Sequence, residues 1–357
     1  MTSPQEMNMS QNDVMFDAEP QTPALTAEEQ TAQLVARAAL LTDVTERIRR
    51  LPQHPLNRLP VKILTGSIKA AFLEICGAVA YKRPGIVFTA DFRVGKSTAV
   101  TMIREKLRVS LPHVAVSSVC AQAHKENATE RLYWGDLLEA LGLDDSGTAQ
   151  DRKKRFVSAI LAACREAGGT DFALLIDEGQ NWGMKEYTYL RDVTNLLIDL
   201  HGISVTTVIF GDLGLKDLCS TTRLKRKDLW ARFMMQPRTF HGIKDKEDLQ
   251  FFLAEYDSTK RCEYPAGSGI SYTEYFLPLA YANGWRLAKE TDPVWDALAR
   301  AAQSVGHEVS DVGMQWVGSA VTRFLTANLK TDVTQFRTCP DDWDQAVALS
   351  GYVQSLI

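Results

Sequence analysis

The chain has little that would tie it to a metal centre, a disulfide framework or a membrane. Its six cysteines, Cys76, Cys120, Cys164, Cys219, Cys262 and Cys339, are scattered and form no CxxC pair. Neither a zinc site nor a disulfide scaffold is indicated, and a reducing compartment is the natural reading, with the cysteines expected as buried small hydrophobes. None of the six histidines stands four residues from another, so a His-based metal site is not expected either. No lysine or arginine precedes Arg37, whereas six acids do, and this stretch lacks the basic, apolar layout of a signal peptide. No apolar run approaches the roughly 18 residues of a membrane span, and no internal repeat is present. A cytoplasmic bacterial protein without a membrane partner is the expectation. An excess of positive charge is missing too: 40 Lys and Arg against 44 Asp and Glu leave a net charge of −4. Binding of nucleic acid by bulk charge is thereby excluded, and only a local basic surface remains open.

What is present is a core. With 357 residues, 45% of them hydrophobic, the chain can bury enough apolar surface for one large or two medium domains. Residues 1–30 read as a flexible acidic tail, polar and without an apolar period that could bury a face. Residues 31–64 read as a helical element: Leu34, Val35, Ala38, Leu41, Val44 and Ile48 recur mostly at three- and four-residue steps over 31–51. Pro52, Pro55 and Pro60 then stop the helix. From 65 to 241, short apolar strands (86–89, 114–119, 172–176, 203–210) alternate with helical patterns (67–81, from near 96, 130–141, 153–167, 188–200). Such alternation means βαβ units and a parallel sheet between helices. Residues 242–330 carry helices alone, at 246–255, 272–282, 292–302 and 311–325, which predicts a small all-helical domain, and 331–357 form a C-terminal extension with a last helix opening at Asp341. Trp134, Trp182, Trp230, Trp285, Trp295 and Trp316 fall mostly in helices and read as core or interface residues.

Chemistry concentrates between the first strand and the helix after it, in the run Thr89-Ala90-Asp91-Phe92-Arg93-Val94-Gly95-Lys96-Ser97-Thr98. This is a P-loop with one departure, Ala90 in place of the first glycine. In such a loop successive backbone N–H groups surround nucleotide phosphates, a lysine (Lys96) neutralises the β and γ phosphates, and a hydroxyl (Ser97) coordinates magnesium. Ala90, Arg93, Val94, Gly95, Lys96, Ser97 and Thr98 are the candidate nucleotide contacts, with ATP and Mg2+ as cofactors. Were a left-handed backbone required at 90, alanine would carry a penalty that glycine avoids. About eighty residues on, the apolar strand Phe172-Ala173-Leu174-Leu175-Ile176 ends in Asp177 and Glu178, where a parallel sheet presents its ligand-binding edge. An aspartate there organises magnesium, and the following glutamate orients and deprotonates the attacking water.

Through the P-loop, the Asp177-Glu178 pair and the helical segment after 241, residues 65–330 resemble the AAA+ ATPases. The implied fold is an α/β P-loop NTPase of AAA+ type with a small helical lid. Within that class Ile176-Asp177-Glu178-Gly179-Gln180-Asn181, the strand end Val208-Ile209-Phe210-Gly211-Asp212 and the segment 131–142 look like the branch of the transposition regulators TnsC, TniB and MuB and their secretion relative ExeA. The resemblance implies a sensor contact from Thr207 or Asp212, though Thr207 reads equally as a strand filler and Asp212 as a helix cap. It also implies an arginine donated to a neighbouring subunit's γ-phosphate, Arg232 first and Arg226 second, and hence self-assembly into a ring or helical filament. No sensor arginine with a diagnostic context stands in the lid.

By the same resemblance the protein is a slow, regulatory ATPase, yielding ADP and phosphate, that oligomerises on duplex DNA. It would link a target-site selector to a transposase, with a CRISPR-associated transposon as one setting. Candidate DNA contacts are Lys125 in the loop after the second strand, Lys153 and Lys154 in the run 152–155, and Arg223 and Lys225 in the basic run 221–232. Each cluster reads equally as a solvated helix face. The alternatives are an ATP-switched interaction protein of a secretion or defence system without DNA binding, and a helicase loader.

Overall fold

The computed structural model describes residues 26–58, 62–124 and 129–357. In chain order the helices are α1 (Ala27–Thr42), α2 (Val44–Arg50), α3 (Gly66–Ala80), α4 (Lys96–Ser110), α5 (Glu130–Ala140), α6 (Ala149–Ala167), α7 (Met184–His201), α8 (Gly214–Lys225), α9 (Lys227–Phe233), α10 (Lys246–Asp257), α11 (Tyr272–Phe276), α12 (Pro278–Ala282), α13 (Thr291–Gln303), α14 (Met314–Asn328) and α15 (Pro340–Ala348). The strands are β1 (Gly85–Thr89), β2 (Val114–Cys120), β3 (Asp171–Asp177), β4 (Ser204–Gly211) and β5 (Arg238–Thr239). Among the described residues no helix is long and apolar enough to cross a membrane. The described residues divide into two compact units, Ser67–Phe92 with Lys96–Phe240, and a helical unit in which Arg93–Gly95 and the described residues between 26 and 66 group with His241–Ile357.

In the first unit all five strands run parallel in the order β2-β3-β4-β1-β5. Six consecutive residues of β3, from 172 to 177, are buried, as a strand covered on both faces requires. Register aligns the carboxyl ends: Thr89 lies beside Gly211, and Cys120 beside Asp177. A layer of aromatic side chains supports that edge: Tyr133, Trp134, Phe156, Trp182 and Tyr187 are all fully buried, with Tyr133 and Trp182 ring centres 5.1 Å apart. Burying a large apolar side chain contributes about 1.5–3 kcal/mol, so this layer fixes α5 and α6 against the sheet. The helix starts differ from expectation for local reasons. A capping box between Thr148 and Asp151 begins α6 four residues before Lys153, and Gly168 in the left-handed region ends it. Thr188 does not start α7; its hydroxyl donates to the Met184 carbonyl at 2.6 Å inside the helix.

In the helical unit, Leu40, Leu56 and Ile63 join one buried cluster with side chains of α10 to α15. The single helix expected over 31–51 is broken at Asp43, which ends α1 and caps α2 by accepting from the Thr45 and Glu46 amides at 2.8 and 3.1 Å. His54 is fully buried among Tyr264, Tyr272, Tyr275 and Phe276, with Nδ1 accepting from the Leu56 amide at 3.2 Å. Burial pushes its imidazole down to about 3, so the ring stays neutral. The helix expected over 272–282 is divided at Leu277 because Pro278 cannot donate, and the Asp332 carboxylate accepts from the Leu279 and Ala280 amides at 2.8 and 3.0 Å instead. Trp343 stacks on Phe324 with ring centres 3.9 Å apart and 7° between planes.

All six cysteines are free thiols. Cys76, Cys164, Cys219 and Cys262 are buried as expected, whereas Cys120 and Cys339 are exposed, the first because it ends an edge strand and the second because it precedes α15.

Candidate nucleotide site

The P-loop leaves β1 in strand geometry. Ala90 is buried and its amide donates to the Gly211 carbonyl at 3.0 Å, so it prolongs the β1–β4 ladder. Its backbone is not left-handed; the positive φ values of the loop fall on Arg93 (60°) and Gly95 (97°). Alanine therefore carries no penalty of the kind considered above, and the residue that does carry one is Arg93. The Arg93 side chain is exposed, with its guanidinium 4.9 Å from the Trp316 ring centre and Nη1 donating to Gln315 Oε1 at 3.0 Å. Val94 is buried and Thr98 half-buried. Lys96 starts α4 with Nζ turned back into the loop, donating to the Asp91 carbonyl at 2.9 Å.

Strand β3 delivers the carboxylates. Asp177 is 8% exposed, and burial holds its carboxyl above the ordinary value of 3.8, opposed by a hydrogen bond from the Ser97 side chain. The hydroxyl of the P-loop thus acts on the last residue of β3. Asp177 Oδ1 also accepts from the Glu178 amide at 3.0 Å. Glu178 takes a left-handed backbone (φ 54°, ψ 39°), which turns its carboxylate out of the strand line. Its Oε2 accepts from Gln180 Nε2 at 2.5 Å, and Gln180 Oε1 in turn accepts from the Asp212 amide at 3.1 Å.

Asp212 itself accepts from the Gly214 amide at 2.9 Å, a turn-stabilising bond just before α8, whose N-cap is Leu213 and not Asp212 as its cap reading had it. Thr207 lies opposite Gly85 near the beginning of β1, about 13 Å up the strand from the carboxyl edge at 3.3 Å per residue. It is buried away from the site and cannot make a phosphate contact there.

The candidate fingers are engaged within the chain. Arg232 is half-buried, bonded to Asn195, and burial lowers its guanidinium from the ordinary value. Arg226 pairs with Asp228 at 2.8 Å, a carboxylate it shares with Arg191 at 2.6 Å. The basic run 152–155 separates by role: Arg152 is buried against the Arg131 carbonyl and Asp145, and Arg155 binds the carbonyl of Asp144. Lys153, with Nζ 5.8 Å from the Trp134 ring centre, and exposed Lys154 are left, as are exposed Lys225 and Arg223, the latter 5.2 Å from Trp230. Lys125 lies outside the described residues.

The residue whose role the sequence did not disclose is Gln180. Its sequence signal is its place in the run Ile176-Asp177-Glu178-Gly179-Gln180-Asn181, which carries the resemblance without assigning this side chain a role.

A parallel sheet flanked by helices, with a phosphate loop after β1 and paired carboxylates at the end of β3, is the AAA+ P-loop NTPase fold. Residues 80–219 match the family model described as an AAA domain. Among solved structures the chain is similar to the ORC2 protein of Aeropyrum pernix in its ADPNP-ADP complexes, at 10% identity over 83% of this chain and 71% of that one, with a TM-score of 0.50. Domain III of the replication initiation protein DnaA of Thermotoga maritima aligns at 13% identity over 82% and 95% of the two chains, TM-score 0.43. The Aeropyrum pernix ORC1 protein in complex with DNA aligns at 11% over 83% and 86%, TM-score 0.39. At 10% identity the likeness to the ORC2 protein is one of fold. No curated protein sequence matches the chain.

Proposed function

We propose that this chain is a magnesium-dependent ATPase acting as a switch, which assembles on duplex DNA in its ATP state and regulates DNA transposition by linking a target-site selector to a transposase. The observation that carries the ATPase reading is the convergence of Lys96, Ser97, Asp177 and Glu178 at one sheet edge, where the Ser97 side chain and the Lys96 charge both favour the ionised Asp177 carboxylate. These residues fit a magnesium nucleotide: a hydroxyl and a carboxylate are hard oxygen donors that suit Mg2+ when phosphates complete its shell. Bound magnesium supplies charge neutralisation between the phosphates. Lys96 releases the Asp91 carbonyl to hold the β and γ phosphates, and Glu178 takes the proton of the attacking water. Either Arg232 or Arg226 serves a neighbouring subunit; the exposed Arg226–Asp228 pair, of a kind worth about 0–1 kcal/mol, exchanges at little cost.

The DNA and transposition parts rest on the sequence resemblance in 131–142, 176–181 and 208–212, supported by the exposed side chains of Lys154, Arg223 and Lys225. A second reading, an ATP-switched interaction protein without DNA, is favoured by the internal use of Arg152, Arg155 and Arg226. A duplex DNA mobility shift separates them. We expect a salt-sensitive shift with a non-hydrolysable ATP analogue and none without nucleotide or with Lys96→Ala; no shift in any state eliminates the DNA reading. Transposase or CRISPR effector genes beside this one would favour the transposition role over a helicase loader.

A further inference from the structure

The short turn Gly179–Asn181 after β3 is anchored on both sides. Asn181 Nδ2 donates to the Ala121 carbonyl just past β2 at 2.9 Å, and Gln180 reaches the other way, to the end of β4. The amide orientation of Gln180 follows from its partners: a carboxylate oxygen can only accept and a backbone N–H can only donate, so Nε2 faces Glu178 and Oε1 faces Asp212. The passage for this side chain exists because residue 211 is glycine. A Cβ there would sit 2.5 Å from Gln180 Oε1 and 2.8 Å from Leu215 Cδ2.

From this geometry we propose that Gln180 is a positioning residue for Glu178, fixing one carboxylate oxygen and tying it to the end of β4; the inference rests on the ATPase reading above. With Oε2 committed to the Gln180 amide, Oε1 is the oxygen presented to water, in one orientation instead of a rotating pair. Because the Gln180 amide bridges to the Asp212 N–H, a shift of the β4 end also moves the carboxylate. Catalytic contact stays with Glu178, and Gln180 acts through it.

The test uses the full chain, with steady-state MgATP turnover and binding of a fluorescent ADP analogue. Gln180→Ala is expected to lower kcat about 10- to 100-fold while KM and the nucleotide Kd stay within about twofold. Gln180→Glu keeps the size, loses the amide donor and sets a second negative charge beside Glu178, so it should fall as far. Gly211→Ala displaces the Gln180 side chain, and the double variant with Gln180→Ala should be no slower than the slower single variant. In a Glu178→Gln background, Gln180→Ala should change nothing further. Wild-type turnover by Gln180→Ala overturns the inference, as does a kcat loss matched by an equal loss of nucleotide affinity, which would mark a merely structural turn. Should Gly211→Ala fail to fold, the two Gln180 variants decide alone. Absence of Lys96-dependent hydrolysis in the parent protein sinks the ATPase reading itself, whereas a hydrolysing parent with an indifferent Gln180 sinks only this inference.

Discussion

Exchanging Glu178 for glutamine separates nucleotide binding from hydrolysis. The glutamine keeps the shape of the side chain, and its carbonyl oxygen can still accept from Gln180 Nε2, now 2.5 Å from the carboxylate. A charge-assisted bond becomes a neutral one, a loss of roughly 1 kcal/mol, and the left-handed backbone at φ 54° costs the two side chains equally. The fold and the P-loop therefore persist. What disappears is the proton acceptor, and loss of a general base costs about 10²- to 10⁴-fold in kcat, or about 2.7–5.4 kcal/mol of barrier. Nucleotide at a hundred times its Kd stabilises a protein by about 2.7 kcal/mol, which for a unit of this size raises Tm by about 5–10 °C. Glu178→Gln should show that full rise with MgATP and release almost no phosphate, and so hold any ATP-dependent assembly in place. Lys96→Ala, which removes the ammonium now on the Asp91 carbonyl, should lose the rise and the assembly together. Phosphate release and a thermal melt in the same buffer read both quantities. Normal turnover by Glu178→Gln would show that the general base is wrongly assigned, and a vanished Tm rise would show that the carboxylate serves binding.

Burial raises the Asp177 carboxyl above 3.8, so ionising it costs the folded state, and its contribution to stability falls as pH rises from 3.8 through the folded value. Asp177→Asn should therefore be more stable than the parent at pH 7 without nucleotide, yet lose magnesium-dependent turnover; a variant less stable than the parent in a denaturant titration refutes the sign. Lys153→Glu with Lys154→Glu, Arg223→Glu and Lys225→Glu should abolish the ATP-dependent DNA shift and flatten its salt dependence, by about 0.9 in log-log slope for each phosphate no longer neutralised. Unchanged DNA affinity would exonerate these side chains. Trp343→Ala removes a ring stacked on Phe324 and an Nε1–H bond to Glu290 at 3.1 Å, a cost of about 3–5 kcal/mol. A loss under about 1 kcal/mol in urea unfolding would mean that this part of the helical unit's core is loosely packed.

What was legible in the sequence is what short-range pattern and motif spacing encode. β3 reads directly because its run from Phe172 to Ile176 is apolar throughout, and Lys96, Ser97, Asp177 and Glu178 read because a loop between strand and helix and a strand-terminal acidic pair are local features. Register did not read. Thr207 and Asp212 are five residues apart on one segment, yet the pairing of Thr207 with Gly85 takes it to the far half of β4 while Asp212 remains at the edge, and nothing within the segment fixes that offset. Helix breaks were hidden for a related reason. The apolar period runs unbroken through 31–51, and only the competition of the Asp43 carboxylate for the next amides ends α1 there. Long-range partnership was equally closed to inspection: the grouping of Leu40, Leu56 and Ile63 with helices two hundred residues later depends on matched surfaces, and periodicity reports only that a face exists. Gln180 joins both failures. Its function needs a glycine thirty-one positions away to leave room and an amide beside that glycine to bind, so the side chain that sets the orientation of Glu178 becomes visible only once β3 and β4 are in register.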